Sequence, residues 1–176
     1  IIRRTVHHQR PYFTAELHGF SISMGGNAGI GVDINHARQS EFDNVYVVSN
    51  ADWAMRIRAY QQWTPSDGAN ANSFSNIRVS STTTGAKGLD IGDNNTCNAC
   101  TMHLDVAHNN FRNIRVTFNL TASTYVTNSI GMRLQFTDAG ECDTCILSAE
   151  TALQVLVPSG TAGPSYPAGY LFNATS

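Results

Sequence analysis

The chain has 176 residues, 14% of them charged, and a formal net charge of −2. Charged residues fall well below the usual quarter of a globular chain, so Asn, Ser and Thr must supply much of the polar surface. The near-neutral balance gives no pull toward nucleic acid or an acidic membrane surface, and no run of 18 apolar residues exists to span a bilayer.

Residues 1–13 read as a solvated basic lead-in, with Arg3, Arg4, His7, His8 and Arg10. Adjacent residues on a strand face opposite ways, so His7 and His8 make a poor chelate. The chain opens without Met or signal-peptide architecture and closes on an apolar stretch, which reads as an ordered fragment of a longer protein.

From residue 14 the chain repeats itself. The first phrase is an aromatic residue, any residue, Asn, Val or Ile, any residue, Val. It stands at Phe42–Val47, Phe74–Val79 and Phe111–Val116, with a weaker copy at Leu17–Ile22. The second phrase is small, apolar, polar, apolar. It stands at Gly31–Ile34, Ala54–Ile57, Gly88–Ile91 and Gly131–Leu134, with a fainter copy at Ala152–Val155. Both alternate with period two, as strands do. Copies recurring at intervals of roughly 20–50 residues mark stacked repeats, in which each unit buries an apolar face that it cannot bury alone.

Stacking makes definite expectations. Phe42, Phe74 and Phe111 form one column, and Val45, Ile77 and Ile114 another. Asn44, Asn76 and Asn113 form an amide ladder. Asp33, Arg56, Asp90 and Arg133 form an outward column of alternating sign, each charge lying between opposite charges.

The linkers vary. Met24–Gly29 is a Gly/Asn turn and lacks the Lys of a phosphate loop. Residues 60–72 form an excursion carrying Tyr60 and Trp63, both suited to stacking on sugar rings or, equally, to capping the core. Residues 119–129 form a second excursion, rich in Thr and Ser.

Two C-x-x-C pairs occur, Cys97/Cys100 and Cys142/Cys145. Four thiolates can bind zinc, and paired cysteines can form disulfides. Cys142, Cys145 and Leu147 also keep the spacing of core positions in the first phrase, as do Cys97, Cys100 and Met102, so buried thiols are a third reading. Three N-x-T sequons, at Asn94, Asn119 and Asn173, matter only in a eukaryotic secretory protein.

The F-x-N-[VI]-x-V phrase followed by the small-apolar-polar-apolar phrase resembles the pectate-lyase-like superfamily, and in style the β-helical modules of bacteriophage tailspikes and tail fibres. The likeness covers roughly residues 14–157. It implies an all-β fold, a right-handed parallel β-helix of about five coils over residues 14–176. It also implies a homotrimeric virion part that works beside other tail proteins, or an extracellular location, with host surface polysaccharide as the partner. The superfamily's pectinase motifs, paired Asp with Gly-His-Gly and Arg-Ile-Lys, are absent.

Catalysis needs more than the fold. Glycosidases use two carboxylates about 5 Å or about 6.5–9.5 Å apart. Asp138, Glu141 and Asp143 cluster near one turn; Asp138 and Glu141 are the expected acid and base of an enzyme reading, and Tyr60 and Trp63 the expected substrate contacts. His103 and Asp105 share a strand face if Met102–Val106 is extended. No cofactor and no metal is assigned. Host recognition is the leading expectation. A secreted polysaccharide hydrolase or lyase comes second, and a purely architectural virion or appendage protein third.

Overall fold

The computed structural model describes residues 3–6, 13–26, 29–35, 37–58, 69–92, 106–135, 137–138, 140–156 and 170–173. The described chain is all β, with no helix among the described residues. The strands come in chain order as β1 Arg3–Val6, β2 Phe13–Ser23, β3 Val32–Asn35, β4 Glu41–Val48, β5 Trp53–Arg58, β6 Ser73–Ser75 and β7 Arg78–Ser80. Then follow β8 Lys87–Ile91, β9 Val106–Ala107, β10 Asn110–Arg112, β11 Arg115–Thr117, β12 Asn119–Thr121 and β13 Thr124–Tyr125. The rest are β14 Ile130–Gln135, β15 Thr137–Asp138, β16 Gly140–Asp143, β17 Ile146–Ser148, β18 Thr151–Leu156 and β19 Tyr170–Asn173.

Two long parallel sheets result, and the chain alternates between them. The first phrase builds the larger sheet, where β2, β4, β6, β10, β16 and β19 pair in sequence. A second row of the same sheet runs from β4 through β7 and β11 to β17. The second phrase builds a five-stranded sheet in the order β3-β5-β8-β14-β18. Among the described residues antiparallel pairing enters twice. Lead-in strand β1 pairs with β2, and β12 with β13 makes a small hairpin in the 119–129 excursion.

The expected columns form. Leu17, Phe42, Phe74, Phe111 and Cys142 are register partners in turn. The rings of Phe42, Phe74 and Phe111 stack with centroids 4.9 Å apart and planes within 10° of parallel. That separation is the strand spacing itself: parallel register holds identical side chains face to face. Val45, Ile77 and Ile114 are likewise buried. From the smaller sheet, Met55, Leu89 and Met132 form one buried row and Ile57, Ile91 and Leu134 another. Each such side chain contributes roughly 1.5–3 kcal/mol by leaving water.

The small position of the second phrase has a steric cause. A Cβ on Gly88 would lie 2.1 Å from the carbonyl oxygen of Gly131 and 3.0 Å from Val116 of the larger sheet. The nearest clash is with the backbone of the next strand in the same sheet and the second with the facing sheet, so only a small residue fits here.

The Asn position has a backbone cause. Gly19, Asn44, Asn76, Asn113 and Thr144 all take positive φ, between 52° and 65°. Each turns the chain between the two rows of the larger sheet. Gly and Asn enter this left-handed region at least strain. Gln39, Ala71 and His108, three residues before each Phe, are left-handed too, with φ of 51–56°.

Candidate functional site

The outward face of the larger sheet repeats its side chains in straight rows. Glu16, Glu41, Ser73, Asn110 and Glu141 are register partners, as are His18, Asp43, Ser75, Arg112 and Asp143. A shallow depression of about 310 Å³ lies over this face. It is lined by Glu41, Ser73, Ser75, Asn110, Phe111, Arg112, Glu141 and Asp143. Glu141 is exposed and Asp143 half-buried. They sit two residues apart on one strand face, which puts their Cα atoms about 6.6 Å apart at the usual strand rise.

Beside the depression, Asp43 accepts hydrogen bonds from Ser75 Oγ at 2.6 Å and Asn76 Nδ2 at 2.8 Å. These two bonds hold its carboxyl below the usual 3.8, helped by the charge of His18 and the Asn44 backbone, against a smaller opposing effect of burial. Asn113 Nδ2 in turn donates to Asn76 Oδ1 at 2.6 Å. The expected amide ladder thus exists between Asn113 and Asn76, but its next acceptor is Asp43, not Asn44.

A second polar ladder lies inside. Ser40, Asn72 and Asn109 are all buried, at 2%, 1% and 0% exposure. Asn109 Nδ2 donates to the Ala69 carbonyl at 2.8 Å, and its Oδ1 accepts from both the backbone N and Nδ2 of Asn72. Asn72 Nδ2 donates also to the Ala37 carbonyl at 2.9 Å, and its Oδ1 accepts from the Ser40 backbone. Ser40 Oγ accepts from the Ala15 backbone. This ladder was missed in the sequence, although an Asn two residues before Phe74 and Phe111 was a readable signal.

The charge column of the smaller sheet keeps its register, Asp33 to Arg56 to Asp90 to Arg133. It is not wholly outward. Asp90 is 1% exposed and receives Arg56 Nε at 3.1 Å, both Arg133 Nε and Nη2 at 2.8 Å, and Gln135 Nε2 at 2.9 Å. Arg133 also lies over the Trp53 ring, 4.4 Å from its centroid. Asp33 pairs with Arg58 instead of its register partner Arg56. A carboxylate buried this deeply needs such paired donors.

Of the residues singled out in the sequence, Tyr60, Trp63, Cys97, Cys100, His103 and Asp105 lie outside the described residues, and so does the side chain of Asp138. The Asp138 backbone is in β15, paired with β9. Glu141 shares the depression with Asp143, which the sequence had grouped with it. The 119–129 excursion exposes Leu120 and Tyr125. Cys142 and Cys145 form a disulfide across the Thr144 corner, with Cys142 buried in the phenylalanine column. That bond removes the two thiolates that zinc would need here. Among the described residues no three His, Cys, Asp or Glu side chains are grouped to hold a metal ion. No helix there is long and apolar enough to cross a membrane.

Comparison with known protein families, with curated proteins and with solved structures finds no match. The functional reading therefore stands on the residues themselves.

Proposed function

We propose that this chain is a right-handed parallel β-helical module of the pectate-lyase-like kind, which stiffens a phage tailspike or tail fibre and recognises host surface polysaccharide. The observation that carries the reading is the outward face of the larger sheet. Its polar rows repeat at strand spacing around a shallow depression. Donors and acceptors spaced about 4.8 Å across strands and about 6.6 Å along them match the scale of sugar hydroxyls. A face locked by parallel register loses little entropy when a stiff glycan settles on it. On this reading the module is a homotrimer, works beside other virion proteins and is exposed outside the host cell.

The test is retention of host surface polysaccharides by the immobilised chain. Ser73→Ala with Asn110→Ala should weaken retention about thirtyfold, the loss expected for two hydrogen bonds of about 1 kcal/mol each. Failure to retain any glycan overturns the reading. Light scattering should give three times the chain mass.

A second reading has one observation behind it. Glu141 and Asp143 line the same depression from one strand face, supplying the two carboxyls that a glycosidase needs. On this reading one carboxyl protonates the leaving oxygen and the other activates water, with Asp138 the alternative acid named from sequence. Release of new reducing ends from a polysaccharide, abolished by Glu141→Gln, would establish it. Binding without release would leave recognition alone.

A further inference from the structure

Among the described residues like charges meet across neighbouring strands at Glu16 and Glu41 and at Arg78 and Arg115, and the second pair is cationic. Arg78 and Arg115 are direct register partners on the parallel strands β7 and β11, both exposed. Adjacent parallel strands lie about 4.8 Å apart, so the two arginine side chains leave the same face of the sheet from neighbouring positions. The row continues to Tyr46 on one side and Ile146 on the other, neither of which carries a negative charge. Tyr46 and Ile146 are themselves 42% and 45% exposed. Among the described residues neither Arg78 nor Arg115 has an ion-pair partner, and neither does Arg112, which lies exposed across the Asn113 corner from Arg115.

The charge column of the smaller sheet shows that this is avoidable. There, register partners alternate in sign and Asp90 neutralises an arginine on either side. Like charges placed directly opposite across strands oppose pairing. The unpaired guanidinium forks are therefore preset for an anion arriving from outside. Arginine presents two parallel donors that suit a carboxylate, and the rigid strands hold two such forks at a fixed spacing. Tyr46 flanks them with an aromatic surface whose hydroxyl is anchored on Ser80 at 2.7 Å.

We infer that Arg78 and Arg115 form a site for a carboxylate-bearing sugar, so that the glycan recognised is acidic. This rests on the glycan-binding reading above and adds the charge class of the ligand. The acidic unit lies over β7 and β11, apart from the carboxylates Glu41, Glu141 and Asp143 of the depression, which would repel it.

The test compares alginate, a polymer of carboxylated sugars, with its neutral propylene glycol ester, by retention on the immobilised chain at two salt concentrations. Alginate should be retained at least tenfold more strongly than the ester. The advantage should shrink as salt rises and disappear in the double variant Arg78→Gln/Arg115→Gln. Equal retention of acid and ester, or full retention by the variant, overturns the site while leaving glycan binding in place. A second readout is independent of polymers. Free glucuronate should raise the melting temperature of the parent chain and not of the double variant. If it does so while no polymer is retained, the anion site stands and the glycan reading falls. If it does not and alginate is not retained, the site is wrong.

Discussion

Two ladders of polar side chains run along the larger sheet, and both contain asparagines, yet they do different jobs. The outer one runs through Asn76 and Asn113, at left-handed corners, and ends on Asp43, beside the Asn44 corner. Its asparagines are exposed, and water competes for every bond they make. What the sequence needs there is a residue that accepts positive φ. The inner one, Ser40, Asn72 and Asn109, is sealed from water. Its amides satisfy the Ala37 and Ala69 carbonyls and the Asn72 and Ser40 backbone N–H groups. What is needed there is a hydrogen-bonding group of the right shape. The same residue type is chosen once for its backbone and once for its side chain.

That contrast can be broken most sharply at Asn109. Asn109→Ala leaves the Ala69 carbonyl and the Asn72 N–H buried without partners, at about 1–3 kcal/mol each. A loss of about 3 kcal/mol in a urea melt is expected. Asn109→Asp should not rescue it, because a buried carboxylate cannot donate to Ala69. A loss under about 0.5 kcal/mol would show that the inner ladder is not structural.

At the outer ladder the effects are smaller and ordered differently. Asn113→Ala should lose about 1 kcal/mol, since a side chain with Cβ and no local hydrogen bond fits φ of 52° poorly. Asn113→Gly should stay within about 0.5 kcal/mol of the parent, because glycine enters that region freely. If the glycine variant is the worse of the two, the amide bond to Asn76 matters more than the corner.

The smallest effect is in pH. The folded Asp43 carboxyl titrates below its usual 3.8, so its contribution is fully present above that value. It is lost as pH falls through the lower folded value. Parent and Asp43→Asn should therefore have a constant stability difference above about pH 5, which narrows below about pH 4. An unchanged difference down to pH 2 would remove Asp43 from the ladder's energetics.

Much of this organisation was readable in the chain. Period-two phrases with constant order identify strands, and their recurrence sets which residues become neighbours. Phe42, Phe74 and Phe111 meet because their phrases align, and Asp33, Arg56, Asp90 and Arg133 share a row for the same reason. Cys142 and Cys145 are the phrase written with sulfur, so even their column was foreseeable. The site was less legible. Asp143 gained its place beside Glu141 from the direction of β16, and Arg78 and Arg115 became a pair only through register across a step of 37 residues, the step that also joins Asn76 to Asn113.

Sequence alone determined the alternation of the strands, the apolar columns and the small residues at close approach, because each follows from side-chain period and volume. Only the tertiary structure decided that Asp90 is buried and that Ser40, Asn72 and Asn109 form the sealed ladder. It also made Gln39 and Ala71 left-handed, although their side chains do not favour it. The reason is physical. Burial and backbone handedness at a corner depend on what the neighbouring strands cover and where they force the chain to turn, and no single residue carries that information.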